Sequence, residues 1–316
     1  MTIYDETAQY LTTLPVLANW PEMGTFLISA AANEPHDWWL PVLASVAVGG
    51  DQASAIPGVA SIAALQASII LIDDMLDADP RGRHQQIGMP ATANMASALQ
   101  AVSLAAIYQA GQLPAERKAA IMHSLGQMMG QIAWGQQLDV QNPADEAGYW
   151  RVVQTKSAPF FSMALYIGAL CGGADAAIAG QLAALGSLYG EMIQIHDDLM
   201  DTMAEPAGPD WLLGRSPLPI LFALTVPHPE RDLFSGLRYQ VRNPAALRLA
   251  QEILVRCGAV SYAVDQILQR YAQAQKLLST IALPQPDKLA ELFTALVEPV
   301  EALIGMVNNR PVAVTG

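Results

Sequence analysis

Segments that are apolar most of the way round a helix constrain this chain more than any other feature. The runs leading into Ile72 and into Ile195 are built largely from Ala, Leu, Ile, Met and Gln, with few positions suited to water. A helix of that kind has no solvent face, so other helices must enclose it. Apolar residues make up 52% of the 316 positions and charged residues 14%, enough for a large core and against disorder. Alternating strand patterns bounded by turn pairs are scarce. The expected class is all-α, with helices near 40–49, 55–77, 90–110, 115–140, 146–170, 175–202, 217–225, 244–256, 259–280 and 287–307. Breaks fall at Gly49-Gly50-Asp51, Asp79-Pro80-Arg81-Gly82, Gly111 to Pro114, Gly172-Gly173 and Pro206 to Pro209. No linker or shift in composition divides the chain, so one domain over residues 1–316 is expected.

Several classes are disfavoured. A net charge of −13 argues against a nucleic-acid surface, which needs clustered Lys and Arg. The segment Ala55–Ile72 comes nearest to a membrane span, but Pro57, Ser61, Gln66 and Ser68 interrupt it, so no transmembrane segment is expected. No basic region followed by an apolar core opens the chain, so no signal peptide is expected. Cys171 and Cys257 lack metal-ligand spacing and point to reduced thiols in a cytoplasmic protein.

Each of the two apolar runs ends on three aspartates: Asp73, Asp74 and Asp77, then Asp197, Asp198 and Asp201. On a helix, residues four apart share a face, so Asp73 and Asp77 point together, as do Asp197 and Asp201. Carboxylates crowded beside apolar segments repel one another and are costly to desolvate. A divalent cation removes that cost. Oxygen-only ligands suit a hard ion, and Mg²⁺ in particular is held by a few carboxylates together with substrate phosphates. All six aspartates are therefore candidate metal and catalytic residues.

These motifs resemble those of the trans-isoprenyl diphosphate synthase (polyprenyl synthetase) family, over most of the chain. The first aspartate motif lies in Leu71–Asp77 and the second in Gln194–Asp201, with the glutamine that usually precedes it. Gly135-Gln136-Gln-Leu-Asp139 resembles the family's Gly-Gln-x-x-Asp turn, and Lys156-Ser157 its Lys-Thr pair. Gly214-Arg215-Ser-Pro-Leu-Pro219 is a looser match to Gly-Lys-x-Thr-x-Pro. The resemblance implies a helical bundle around a central apolar cavity, a homodimer, and an allylic prenyl diphosphate substrate ionised with Mg²⁺. It also implies Arg81, Lys156, Gln194 and Arg215 as diphosphate-binding residues.

The sequence departs from the family at the second substrate. Elongating members hold isopentenyl diphosphate with a Gly-Gly-Lys-Arg-x-Arg-Pro segment, a histidine on the next helix and one arginine of an Arg-Arg pair. Here Asp37 replaces the lysine, Trp38 and Leu40 the arginines, and Gln66 the histidine; the arginine pair has become Pro80-Arg81. No Lys or Arg occurs from Met1 to Pro80. Losing several charge-assisted bonds of about 1.5–3 kcal/mol each would weaken binding by orders of magnitude. The expectation is therefore ionisation of an allylic diphosphate with the cation resolved without isopentenyl diphosphate. Cyclisation, elimination, water capture or transfer to a non-diphosphate acceptor would follow. Chain elongation is the alternative. Residues one or two turns before the first motif, Ala64, Leu65, Ser68 and Ile69, are expected to line the tail cavity. Without large aromatics there, a tail of about fifteen to twenty carbons fits.

Overall fold

Helix starts in this chain are set by local caps. Asp51 accepts the Ser54 backbone N–H at 2.8 Å, while Ser54 Oγ accepts the Asp51 N–H at 3.2 Å. This reciprocal box satisfies two otherwise orphaned donors and starts the long helix Gln52–Leu76. Asp175 does the same for Ala176–Met203 by accepting the Ile178 N–H at 2.8 Å.

A computed structural model describes residues 2–308. The expected single domain also takes in Met1 and 309–316, which lie outside them. The described chain is helical throughout, with no strand. In order the helices are α1 (Ile3–Thr12), α2 (Pro15–Ala18), α3 (Pro21–Ala31), α4 (Leu40–Ala47), α5 (Gln52–Leu76), α6 (His84–Ile87), α7 (Met89–Gln109), α8 (Ala115–Val140) and α9 (Glu146–Val152). They continue as α10 (Ala158–Cys171), α11 (Ala176–Met203), α12 (Pro209–Leu213), α13 (Leu218–Thr225), α14 (Arg231–Leu237), α15 (Pro244–Arg256), α16 (Ala259–Thr280) and α17 (Asp287–Asn308). Every helix expected from sequence is present. The segment expected at 146–170 is divided: a π-turn over Val153–Ser157 joins α9 to α10. The N-terminal helices α1–α3 and the 3₁₀ turn His36–Trp39 were not expected.

The all-round apolar character of α5 is explained by its neighbours. Ile62 and Leu65 enter the main core with Phe160 and Ile167 of α10. Ala60, Ala64, Ala67 and Leu71 pack with Met95, Leu99 and Val102 of α7 and with Leu11 and Leu27 of the N-terminal helices. Ala55, Ile56, Val59 and Ala63 pack with Ile3, Trp38 and Val42. Alone among the described helices, α5 is long and apolar enough to cross a membrane, but 72% of its most apolar window is buried inside the protein. Each large aliphatic side chain so buried contributes about 1.5–3 kcal/mol.

Helix α10 lies between α4 and α11, and glycines set how closely it approaches them. A Cβ at Gly168 would stand 2.2 Å from the Pro41 carbonyl oxygen of α4. A Cβ at Gly186 of α11 would stand 2.4 Å from the Phe161 carbonyl oxygen of α10. Backbone cannot yield as a flexible side chain can, so Gly168→Ala must push α10 away from α4. We expect a loss of about 1–3 kcal/mol for it in thermal or urea unfolding. Gly180→Ala, in α11 with open space around its would-be Cβ, should instead be neutral or stabilising by about 0.5–1 kcal/mol.

Candidate active site

The two aspartate motifs occupy the C-terminal ends of α5 and α11. Asp77, Asp201 and Asp210 line one cleft together with Arg81 and Arg242. An adjoining pocket is lined by Asp139, Lys156, Gln194, Asp198, Asp210 and Arg215. Asp77 and Asp201, the last aspartates of the two motifs, thus meet at one opening.

Two cations hold this cluster in order. Lys156 Nζ lies 2.8 Å from Asp73 Oδ1 and 2.5 Å from Asp139 Oδ2. Arg215 donates to Asp77 through Nη2, while its Nη1 stands 3.9 Å from Asp139 Oδ2. Burial lowers the Lys156 pKa, but Asp73 and Asp139 outweigh it and the net shift is upward, so the ammonium stays charged. The π-turn is what presents Lys156 and Ser157. It packs on Gly135 of α8, where a Cβ would stand 2.5 Å from the Lys156 backbone nitrogen. Only glycine permits that approach, and it brings Lys156 within reach of Asp139 one turn further along α8.

The middle aspartate of each motif is held by local packing or hydrogen bonds. Asp74 faces the loop that follows α5: a Cβ at Gly82 would stand 2.9 Å from the Asp74 Cβ, and burial, then Asp79 and Asp73, raise its pKa. Asp198 is 5% exposed. Its Oδ1 accepts from Gln194 Nε2 at 2.8 Å and its Oδ2 from the Leu218 backbone N–H at 2.9 Å. Burial pushes its carboxyl up to about 7, against the lowering effect of the Leu218, Gln194 and Tyr149 donors. Asp198 therefore joins α11 to the start of α13, while Asp77 and Asp201 line the cleft, Asp73 is tied to the adjoining pocket through Lys156, and Asp197 is solvent-exposed.

The other expected residues divide similarly. Gln194 bridges Ser157 Oγ and Asp198, so it positions the site from inside. Arg81 lines the cleft but is solvent-exposed and paired with Asp79 at 2.9 Å. Ala64 and Ser68 are corrections. Ser68 is fully buried and donates to the Ala96 carbonyl of α7 at 2.9 Å, and Ala64 packs in the same seam. They face away from Asp73 because they stand nine and five positions before it, off its helical stripe. Leu65 and Ile69 belong to the main core, on the side that carries Asp73. Trp38 is core as well, 1% exposed and packed beside Tyr4.

Several site residues went unrecognised in the sequence. Asp139 sits inside the Gly-Gln-x-x-Asp turn, which was the available signal. Asn142 accepts the Ser216 N–H at 3.1 Å and donates to the Gly214 carbonyl at 3.0 Å, while Arg238 donates to the Arg215 carbonyl at 2.6 Å. Together they pin the loop carrying Arg215. No local pattern announces such contacts across more than twenty residues.

The donor set fits Mg²⁺. All ligand candidates are oxygens, and they outnumber the cations near them. Among the described residues no three His, Cys, Asp or Glu side chains already converge on one point. Mg²⁺ is usually bound through one or two carboxylates together with waters and substrate phosphates. We expect Mg²⁺ plus inorganic diphosphate to raise the melting temperature, and Asp197→Asn to abolish that rise while sparing the metal-free value. Asp198→Asn should instead lower the metal-free stability by about 1–3 kcal/mol, because its amide sets a donor against donors.

The sequence profile of the polyprenyl synthetase family matches residues 40–254. A geranylgeranyl pyrophosphate synthase from Geoglobus acetivorans is 26% identical over 82% of this chain and 84% of its own length. An octaprenyl diphosphate synthase from Haemophilus influenzae is 25% identical over 89% of this chain and 86% of its own. Among solved structures, a geranylgeranyl pyrophosphate synthetase from Pyrococcus horikoshii superposes with a TM-score of 0.78 at 18% identity, covering 97% of this chain and 96% of that one. That likeness establishes the same all-helical fold. With its profile spanning both aspartate motifs, the chain belongs to the polyprenyl synthetase family.

Proposed function

We propose that this chain ionises an allylic prenyl diphosphate with Mg²⁺ and resolves the carbocation without isopentenyl diphosphate. The observation that carries this reading is a hydrogen-bonded set at the positions where elongating members keep cations. Trp38 Nε1 donates to Gln66 Oε1 at 2.9 Å, and Gln66 Nε2 donates to Asp37 Oδ2 at 2.6 Å. A carboxylate there repels a second diphosphate, and the amide and indole are already engaged with each other and with it.

Asp73, Asp77, Asp197 and Asp201 would hold the Mg²⁺. Bound there, it would supply positive charge to offset the diphosphate and the charge that builds as the allylic C–O bond breaks. Lys156 and Arg215, kept charged and aimed by Asp139, add cationic contacts to the leaving group, and Arg81 is within reach at the rim. The apolar side of α5 below Asp73, with Ile62, Leu65 and Ile69, would receive a tail of about fifteen to twenty carbons. A homodimer belongs to the same reading.

The relatives favour a second reading. Both cited above are named as synthases of prenyl diphosphates, which supports chain elongation better than it supports the reading without isopentenyl diphosphate. Incubation with Mg²⁺ and geranyl, farnesyl or geranylgeranyl diphosphate, with and without isopentenyl diphosphate, separates the two. We expect diphosphate release and a hydrocarbon or alcohol product from the allylic substrate alone, lost on chelation of the metal. Longer prenyl diphosphates formed only when isopentenyl diphosphate is present would establish elongation instead.

Substitutions on α5 test the tail assignment. Ile69→Phe should shift substrate preference toward shorter tails with little loss of stability. Ser68→Phe should chiefly destabilise, by about 1–3 kcal/mol or more, since it overfills the seam with α7. Equal shifts in tail preference for both would show that the tail runs along the Ser68 side.

A further inference from the structure

Asp37 is a half-buried carboxylate in the turn that precedes α4. Among the described residues, no Lys, Arg or His lies within ion-pair distance of it. Its one hydrogen bond fixes Oδ2 to Gln66 and leaves Oδ1 unengaged. A half-buried carboxylate without a counter-charge is costly unless a positive charge or a proton is due to arrive.

Its position says where such a charge would come from. Gln66 lies seven residues before Asp73 on α5, two turns down the same face and roughly 10 Å away. Tyr189 lies eight residues before Asp197 on α11, again two turns down. Burial, then Asp37 and Asp197, raise the Tyr189 hydroxyl. A substrate with its diphosphate at Asp73 and Asp197 would carry its first isoprene units at the level of Gln66 and Asp37. His36, next to it in the chain, is exposed.

We propose that Asp37 is the base that takes the proton when the allylic cation is quenched by elimination. This rests on the reading without isopentenyl diphosphate. The C–O bond breaks and its electron pair leaves on the diphosphate. A C–H bond beside the cationic carbon then breaks; its pair becomes the new C=C bond, and the proton passes to Asp37 Oδ1. Nothing is oxidised or reduced, and the proton returns to water. Burial first, then Asp197, raise the Asp37 pKa, while His36 and Gln66 lower it, so the group is a stronger base than a solvated carboxylate. From α5 the neutral Gln66 is hydrogen-bonded to it, and from α11 the charge of Asp197 and the hydroxyl of Tyr189 act on it at longer range.

The test compares the wild-type protein with Asp37→Asn and Asp37→Glu on farnesyl diphosphate and Mg²⁺, with melting temperatures measured alongside. Single-turnover diphosphate release and the olefin distribution are the readouts. In Asp37→Asn, we expect release within about threefold of wild type, with the main olefin reduced about a hundredfold. The glutamate should restore a substantial part. An unchanged olefin distribution in Asp37→Asn overturns the role of Asp37 while leaving ionisation of the lone allylic substrate intact. A wild type that releases diphosphate only with isopentenyl diphosphate overturns the underlying reading and this inference with it. If Asp37→Asn does not fold, Asp37→Ser, a smaller neutral side chain, takes its place: an unchanged olefin distribution in it overturns the proposal.

Discussion

An alternating line of charge, Asp73–Lys156–Asp139–Arg215–Asp77, holds the opening of this protein together. Its members come from α5, the π-turn, α8 and the loop before α13, so each link ties different parts of the chain. Isolated surface pairs of this kind contribute about 0–1 kcal/mol. Here the charges are partly shielded and shared, so removing one cation would leave two carboxylates facing each other without compensation. The same arrangement keeps cations and anions poised where a diphosphate and its metal would enter.

That line can exist only because helices approach closely behind it. Gly135 lets the π-turn settle on α8, and Gly168 and Gly186 let α10 sit between α4 and α11. The π-turn is the local irregularity that turns Lys156 and Ser157 inward; such bulges recur where side chains must be re-aimed. Close packing and site geometry are therefore one problem in this fold, solved with residues that carry no chemistry of their own.

Much of this was legible in the sequence. Long apolar runs ending in paired carboxylates gave α5 and α11, their enclosure and the meeting of Asp77 with Asp201. Helices α1–α3 escaped because their patterns are short and weak, although the box formed by Thr2 and Asp5 marks the first of them. The middle aspartates could not be separated from the outer ones by composition. Only the burial of Asp198 and the loop packed against Asp74 distinguish them. Ser68 was misassigned for a related reason: proximity along the chain was read as proximity in space, whereas a shift of one position turns a side chain through a quarter of the helix.

The enclosure of α5 also bears on how the chain is made. Its principal neighbours α1 and α4 leave the ribosome before it, but α7 follows it and α10 comes only after α8 and α9. Until then the nascent polypeptide carries an uncovered stretch that, by length and composition alone, resembles a membrane anchor. Early docking of α7 onto the Ala60, Ala64, Ala67 and Leu71 stripe would hide half of it, leaving the Ile62 and Leu65 side exposed until α10 arrives. Apolar surface exposed in that interval is prone to aggregate or to be held by chaperones. The feature that gives the finished protein its core is thus also its chief liability during synthesis.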